Sequence, residues 1–282
     1  SAAGTYFYHC HRNTPLHFEM GMYGMLIIDP QNPRRVAGAP KLSKSKLANE
    51  PVAPYAFGGP GYVRRGNDIV RYDAEAIWVS DDVDPVWHGF SHNHAFAAEG
   101  PVTGENNTDA NGNNLGVYFE DVPMHHPDES MHIFRPQYFC ISGVPHPWTR
   151  LDTLPTLTDP ELAFLAPIPA RVLPDQTLLV RLLCAAYSLN RYTFEGLDVE
   201  VIAMDGRVLG QTPYTRYSAP FKIPAGVPFE LTAARRFDLL IRPTSAQVGS
   251  HRVLVEFKDH ITKAGMGIAE TFIHVEGKKK KK

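Results

Sequence analysis

The sequence predicts an all-β protein, and three observations carry that expectation. The 24 prolines and 22 glycines cut the 282-residue chain into short segments, as turns between strands do. Between them lie short apolar runs such as Gly24-Met25-Leu26-Ile27-Ile28, Ala76-Ile77-Trp78-Val79 and Thr177-Leu178-Leu179-Val180-Arg181-Leu182-Leu183, of strand length and β-branched content. Long amphipathic helical periodicity is not evident, although short helical turns are expected near Pro160–Leu165.

Composition bounds the function classes. A chain of this length holds one large or two ordinary domains. Net charge is −2 with 21% charged residues, which gives no electrostatic case for nucleic acid or a membrane surface. No apolar run reaches the roughly 18 residues of a membrane helix.

The first element, YFYHCHRNTPLHFEMGMYG, places a thiol, three imidazoles and two thioethers on one expected strand and the loop after it. A blue-copper centre uses a cysteine sulfur, histidine nitrogens and a weak axial methionine. Cys10, His17 and Met22 occur in that order, with Met20 the weaker thioether candidate. Side chains alternate along a strand. Cys10 is therefore expected to face away from both His9 and His11, so that one metal site abuts another.

Residues 4–30, GTYFYHCHRNTPLHFEMGMYGMLIIDP, resemble the closing strands of a cupredoxin domain of the multicopper oxidase superfamily, with its H-C-H element and G-M-x-G ending. The resemblance implies tandem cupredoxin-like Greek-key β-sandwich domains, the first present only as its C-terminal strands. It assigns Cys10, His17 and Met22 to type 1 copper, and His9 and His11 to the type 2 and type 3 coppers of a trinuclear cluster. The step from Cys10 to His17 is seven residues, longer than is usual in the oxidases and shorter than in copper nitrite reductases. Type 1 copper in this family takes another histidine from an earlier strand. No histidine precedes His9 here, so the missing ligands are expected from further domains or chains.

The remaining elements follow in order. Residues 1–33 read as the truncated copper-binding domain, and 34–70, rich in Pro, Gly, Lys and Arg, as a linker. Residues 71–277 read as a second cupredoxin-like domain with an insertion near 99–130, resembling the middle domain that often lacks copper. FRPQYFCISG resembles its opening strand, LLVRLLCAAYSLNRYTFEG the next strand pair, VEVIAMDGRVL a pair joined by the Asp205-Gly206 turn, and ARRFDLLIRP the strand of Arg236 and Asp238. Its closing segment has no cysteine, which leaves His260 and Met266 as remnants of a metal loop at most. The run Lys278–Lys282 reads as a tag or basic tail before a binding patch.

Weaker candidates remain. His88, His92 and His94 in WHGFSHNHAF are close enough to hold copper or zinc, and Trp87-His88-Gly89 resembles part of the family's H-W-H-G motif. The family places that motif before the H-C-H strand and begins it with a histidine where this chain has Val86. The three read as surface or supporting histidines ahead of ligands, as do His125, His126 and His132. Asn107, Asp109 and Asn111 before Gly112 resemble a calcium loop. Tyr118 stands where a carboxylate is required, so a polar loop is the better reading. Of the three cysteines, Cys140 and Cys184 are left to form one disulfide or to stay buried thiols.

The resemblance implies a copper-dependent oxidoreductase. Electrons from a small-molecule, metal-ion or protein reductant would pass through type 1 copper to the trinuclear cluster, where dioxygen is reduced to water. A periplasmic or secreted location follows from the resemblance alone. Two alternatives stay open: a copper nitrite reductase, against which His11 argues, and a non-enzymatic copper electron-transfer module or subunit of a larger assembly.

Overall fold

The computed structural model of the protein describes residues 3–11, 14–30, 59–88, 134–154, 166–213 and 218–277. The expected insertion near 99–130, its calcium-like loop, His92, His94, His125, His126, His132, the turns near 160–165 and the lysine tail lie outside the described residues. The chain divides into two compact units. Unit 1 comprises Ser1–Phe7, Met25–Asp81 and Phe139–Lys282, and unit 2 comprises Tyr8–Gly24 and Asp82–Tyr138.

In chain order the strands are β1 (Gly4–His9), β2 (Tyr23–Ile28), β3 (Gly61–Arg65), β4 (Asp68–Tyr72), β5 (Ala74–Val83), β6 (Tyr138–Ile141), β7 (Val144–Pro145), β8 (Ala170–Val172) and β9 (Leu178–Cys184). They continue as β10 (Leu189–Phe194), β11 (Val199–Met204), β12 (Arg207–Val208), β13 (Phe221–Ile223), β14 (Phe229–Leu231), β15 (Arg236–Ile241), β16 (Gly249–Lys258) and β17 (Gly265–Val275). Helix α1 (Thr14–Glu19) lies between β1 and β2. The all-β expectation holds.

Unit 1 is a sandwich. One sheet has the order β14-β10-β16-β17-β8, and the other runs β12-β11-β15-β9-β5-β6-β7 with β13 paired to β11. Between them lie Trp78, Leu178, Val180, Leu182, Tyr192, Phe194, Leu239, Val255, Phe257 and Ile273. Side chains at alternate positions of each inner strand supply this layer, as sheet packing requires.

Strand β9 is buried along its whole length because both of its faces are covered, which explains its nearly continuous apolar run. Its even-numbered residues enter the sandwich core. On the opposite face Leu179 packs with Ile202, Leu240, Val63 and Tyr72. The last two come from the β3–β4 hairpin, which is paired from Gly61↔Tyr72 to Arg65↔Asp68. Most of that hairpin falls in the span whose composition reads as a linker. It is ordered as strands because Val63, Val70 and Tyr72 bury an apolar stripe on the sheet.

On the same outer face lies Arg181, 1% exposed. Its Nε donates to Glu75 Oε1 of β5 at 2.7 Å, and its Nη1 donates to Thr5 Oγ1 of β1 at 2.9 Å and faces Asp238 Oδ2 of β15 at 3.4 Å. Thr5 Oγ1 in turn donates to Asp238 Oδ1 at 2.5 Å, and Asp29 lies 3.8 Å from Arg181 Nη2. Burial alone would push the guanidinium pKa down, but the Asp238 and Glu75 carboxylates outweigh it and hold Arg181 charged. Beside this node β1 meets the turn between β11 and β12. Asp205 and Gly206 both have positive φ, 52° and 74°, as a two-residue hairpin of the primed type requires. Tyr6 donates its hydroxyl to the Gly206 carbonyl at 3.2 Å.

A second ion-pair group fixes the hairpin. Glu200 Oε1 accepts from Arg65 Nε at 3.0 Å and Nη2 at 2.6 Å, and Oε2 accepts from Arg242 Nη1 at 3.2 Å. Burial pushes the Glu200 carboxyl up, yet Arg65 and then Arg242 more than offset it, so its pKa lies below the ordinary value.

Two outcomes are expected. Arg181→Met leaves Glu75 and Asp238 buried without their cation and costs about 3–5 kcal/mol of unfolding free energy, measurable by urea denaturation; a loss of less than about 1 kcal/mol contradicts the role given to the node. Because Glu200 has a lowered folded pKa, the stability it contributes is present above its unfolded pKa and is lost as pH falls through the folded one. Denaturation midpoints of Glu200→Gln should therefore decline less steeply than those of the parent between about pH 5 and pH 3.

Candidate metal centre

All of the strong copper candidates fall in unit 2. Strand β1 ends at His9, and Cys10 follows with its N–H donated to the Met22 carbonyl at 3.1 Å. The His9 and His11 rings stack with centroids 4.5 Å apart, so the two imidazoles share a side, as strand alternation requires. His9 Nδ1 lies 2.9 Å from the Cys10 carbonyl, a backbone contact of the sort that sets the tautomer and orientation of metal-binding imidazoles.

Between Cys10 and Met22 the expected loop contains helix α1, with His17 in its last turn. The seven-residue step leaves room for the helical turn. Thr14 Oγ1 donates to the Cys10 carbonyl at 3.1 Å. At the other end, Gly21 N–H bonds the Phe18 carbonyl at 2.8 Å and Met22 N–H bonds the His17 carbonyl at 2.9 Å. This nested pair, with Gly21 at φ 78°, is a Schellman cap. Phe18 is buried, stacks on Tyr23 at 4.7 Å and meets the His9 ring edge-on at 5.7 Å. A Cβ at Gly24 would collide with the Tyr8 ring.

The result is a thiol–imidazole pair: Cys10 Sγ lies 2.9 Å from His17 Nδ1. A soft sulfur beside a borderline nitrogen suits copper, and these two residues fit one half of a type 1 ligand set. Met22 is 52% exposed, and its backbone carbonyl accepts the Cys10 N–H. Met20 is half-buried. Among the described residues no group of three or more His, Cys, Asp or Glu side chains is arranged to hold a metal.

Sequence reasoning missed two carboxylates in unit 2. Glu19, buried at the end of α1, accepts the Asp84 N–H on Oε1 at 2.9 Å. Asp84, also buried, accepts Val86 N–H on Oδ1 at 2.8 Å and Arg135 N–H on Oδ2 at 2.7 Å. Asp84 thereby caps the helical turn at 85–88, with Pro85 in the first-turn position that proline favours. The Asp-Pro pair was the available signal; nothing local marks Glu19. The turn places His88 Nδ1 3.3 Å from the Glu19 carbonyl. In unit 1, His260 is exposed between β16 and β17, and Met266 is half-buried on β17. Cys140 and Cys184 are buried and are not joined in a disulfide.

No family model and no curated protein matches the chain. Among solved structures it is similar to Fet3p, a multicopper oxidase that functions in iron import, at 14% identity and a TM-score of 0.49, covering 99% of this chain and 35% of that one. It is similar to the blue copper oxidase from Nitrosomonas europaea at 18% identity and 0.48, covering 97% and 56%. It is also similar to the laccase-like multicopper oxidase CueO from Ochrobactrum sp. at 14% and 0.47, covering 99% and 42%. The chain thus spans between 35% and 56% of the lengths of these three solved chains.

The differing burial of the three thiols gives a direct check. In the native, metal-free protein a thiol-exchange dye should titrate Cys10 first, and Cys140 and Cys184 only on unfolding, since exchange requires access to the thiolate. Equal rates for all three would contradict the placement of Cys140 and Cys184 in the sheets.

Proposed function

We propose that the chain is part of a copper-dependent oxidoreductase of the multicopper oxidase type, and that residues 9–22 supply ligands at two adjacent copper positions. The observation that carries this reading is the 2.9 Å contact of Cys10 Sγ with His17 Nδ1, flanked along the chain by the stacked pair His9 and His11. Cys10 and His17, with Met22 as the weak axial donor, would hold type 1 copper. His9 and His11 would contribute to the type 2 and type 3 positions, with the remaining ligands from further domains or chains.

Copper bound at Cys10 and His17 supplies one-electron transfer. The chain's own residues do the rest. To ligate, Cys10 would have to lose its proton; His17 Nδ1, 2.9 Å away, would be the nearest acceptor in the tautomer that leaves it unprotonated, and would pass the proton to solvent before binding the metal itself. The Schellman cap fixes the backbone separation of His17 and Met22, which would limit movement of these two residues about a bound metal. The Cys10 backbone, continuous with His9 and His11, offers a covalent path between the two positions.

The side-by-side placement of His9 and His11 favours the oxidase over a nitrite reductase, which uses only the residue before the cysteine. By the same reading the electron source is a small-molecule, metal-ion or protein reductant, the acceptor is dioxygen, and the protein is periplasmic or secreted.

Electron paramagnetic resonance of the copper-loaded chain, with spins counted, tests the ligands. A narrow-hyperfine signal that disappears in Cys10→Ser and His17→Gln, while His11→Gln retains it, is expected. Copper uptake unchanged by all three substitutions would overturn the assignment. Oxygen uptake with a phenolic or ferrous reductant then separates an oxidase from an electron-transfer module, which would show reversible copper reduction alone.

A further inference from the structure

Within unit 1, on the outer face of the eight-stranded sheet and far along the chain from Cys10, the ends of β11, β13 and β15 enclose a cavity of about 280 Å³ lined by Asp198, Glu200, Lys222, Arg242, Thr244 and Gln247, among others. Lys222 stands opposite Glu200 in the β11–β13 register. Both carboxylates in the wall accept hydrogen bonds, Glu200 on both oxygens and Asp198 on one. Glu200 accepts from Arg65 on one oxygen and Arg242 on the other, and Asp198 Oδ1 accepts the Ala225 N–H at 2.9 Å. Lys222 makes no ion pair among the described residues, and Arg242 uses a single nitrogen, Nη1, on Glu200. The lining holds two cations, Lys222 and Arg242, and two carboxylates; Arg65, from outside the cavity, takes up Glu200 Oε1, which leaves donors of Lys222 and Arg242 available in the wall.

The wall is fixed before any ligand arrives. Gln247 accepts the Thr244 N–H on Oε1 at 2.9 Å and donates Nε2 to the Gly196 carbonyl at 2.8 Å. Glu200 accepts from Arg242 Nη1 at 3.2 Å, a contact that restrains the guanidinium and lowers the entropic cost of a second partner. The volume lies just under the roughly 300 Å³ at which drug-sized pockets begin, which selects a small ligand. We propose that this cavity is a binding site for a small oxyanion, of phosphate or dicarboxylate size, with Lys222 and Arg242 as its donors. Guanidinium and ammonium groups together suit such ligands, one by paired hydrogen bonds and the other as a point charge. The site is independent of the copper reading, because none of its residues belongs to segment 9–22.

Isothermal titration calorimetry of the intact chain at low ionic strength tests it, with sodium phosphate and disodium succinate as probes and sodium chloride at matched ionic strength as the control. Saturable binding of at least one probe is expected, weakened about tenfold or more by Lys222→Ala and by Arg242→Ala, and unchanged by Arg171→Ala, an exposed arginine elsewhere on unit 1. Phosphate alone binding assigns the site to phosphoryl groups, and succinate alone to carboxylates. Lys222 is exposed, so its variant keeps the test valid if Arg242→Ala fails to fold. Absence of saturable binding, or equal weakening by Arg171→Ala, overturns the proposal.

Discussion

The constraint on which the rest of the structure depends is the burial of one cation, Arg181, in the middle of an otherwise apolar strand. A guanidinium removed from water must be matched by carboxylates and acceptors at close range. Glu75, Asp238 and Thr5 provide them from three different strands. β9 is thereby set between β5 and β15 with Arg181 on the outer face, and β1 is bound to that face through Thr5. The even-numbered residues of β9 are left to build the sandwich core. A strand that slipped by one residue would move Arg181 into that core and lose every partner. β1 is held a second time where Gly4 and Tyr6 meet Gly206, with space there only for a glycine at position 4: a Cβ would come within 2.9 Å of the Gly206 carbonyl oxygen.

The candidate copper residues obey a different, local logic. What brings Cys10 to His17 is contained in residues 10–22: a strand end, a six-residue helix, and a glycine-dependent cap that returns the chain so that Met22 pairs with Cys10. Such geometry is encoded by short-range hydrogen bonds and one positive φ. It follows that the pair can form without a complete set of other ligands. The buried acids Glu19 and Asp84 act at the next level, joining the end of α1 to the turn that carries His88.

This difference explains what was legible in the sequence. The strands β5, β9, β11 and β15 are visible as apolar runs because their side chains meet a continuous core, whereas the apolar run of β2 has no buried residue; the Asp205-Gly206 turn is visible because its backbone demands those residue types. The closeness of Cys10 and His17 was legible in their donor chemistry and spacing, and the structure brings these two side chains together. The β3–β4 hairpin was not, since Arg64, Arg65, Asp68 and Arg71 interrupt a stripe of three apolar residues, and its partner surface lies more than a hundred residues away in the chain. Helix α1 is too short to show periodicity, although Thr14-Pro15 is a start signal. Glu200 meets Arg65 across 135 positions, and no local pattern announces such a pairing. The half-exposed side chain of Met22 likewise follows from the cap, which uses its backbone.

The claim at the centre of this account is that Cys10 and His17 ligate the same copper ion. X-ray absorption at the copper edge of the chain loaded with one equivalent of copper tests it most directly. One sulfur together with imidazole nitrogen around the metal, with the sulfur lost in Cys10→Ser, is the predicted result. A copper surrounded by nitrogen and oxygen alone in the parent protein would contradict it.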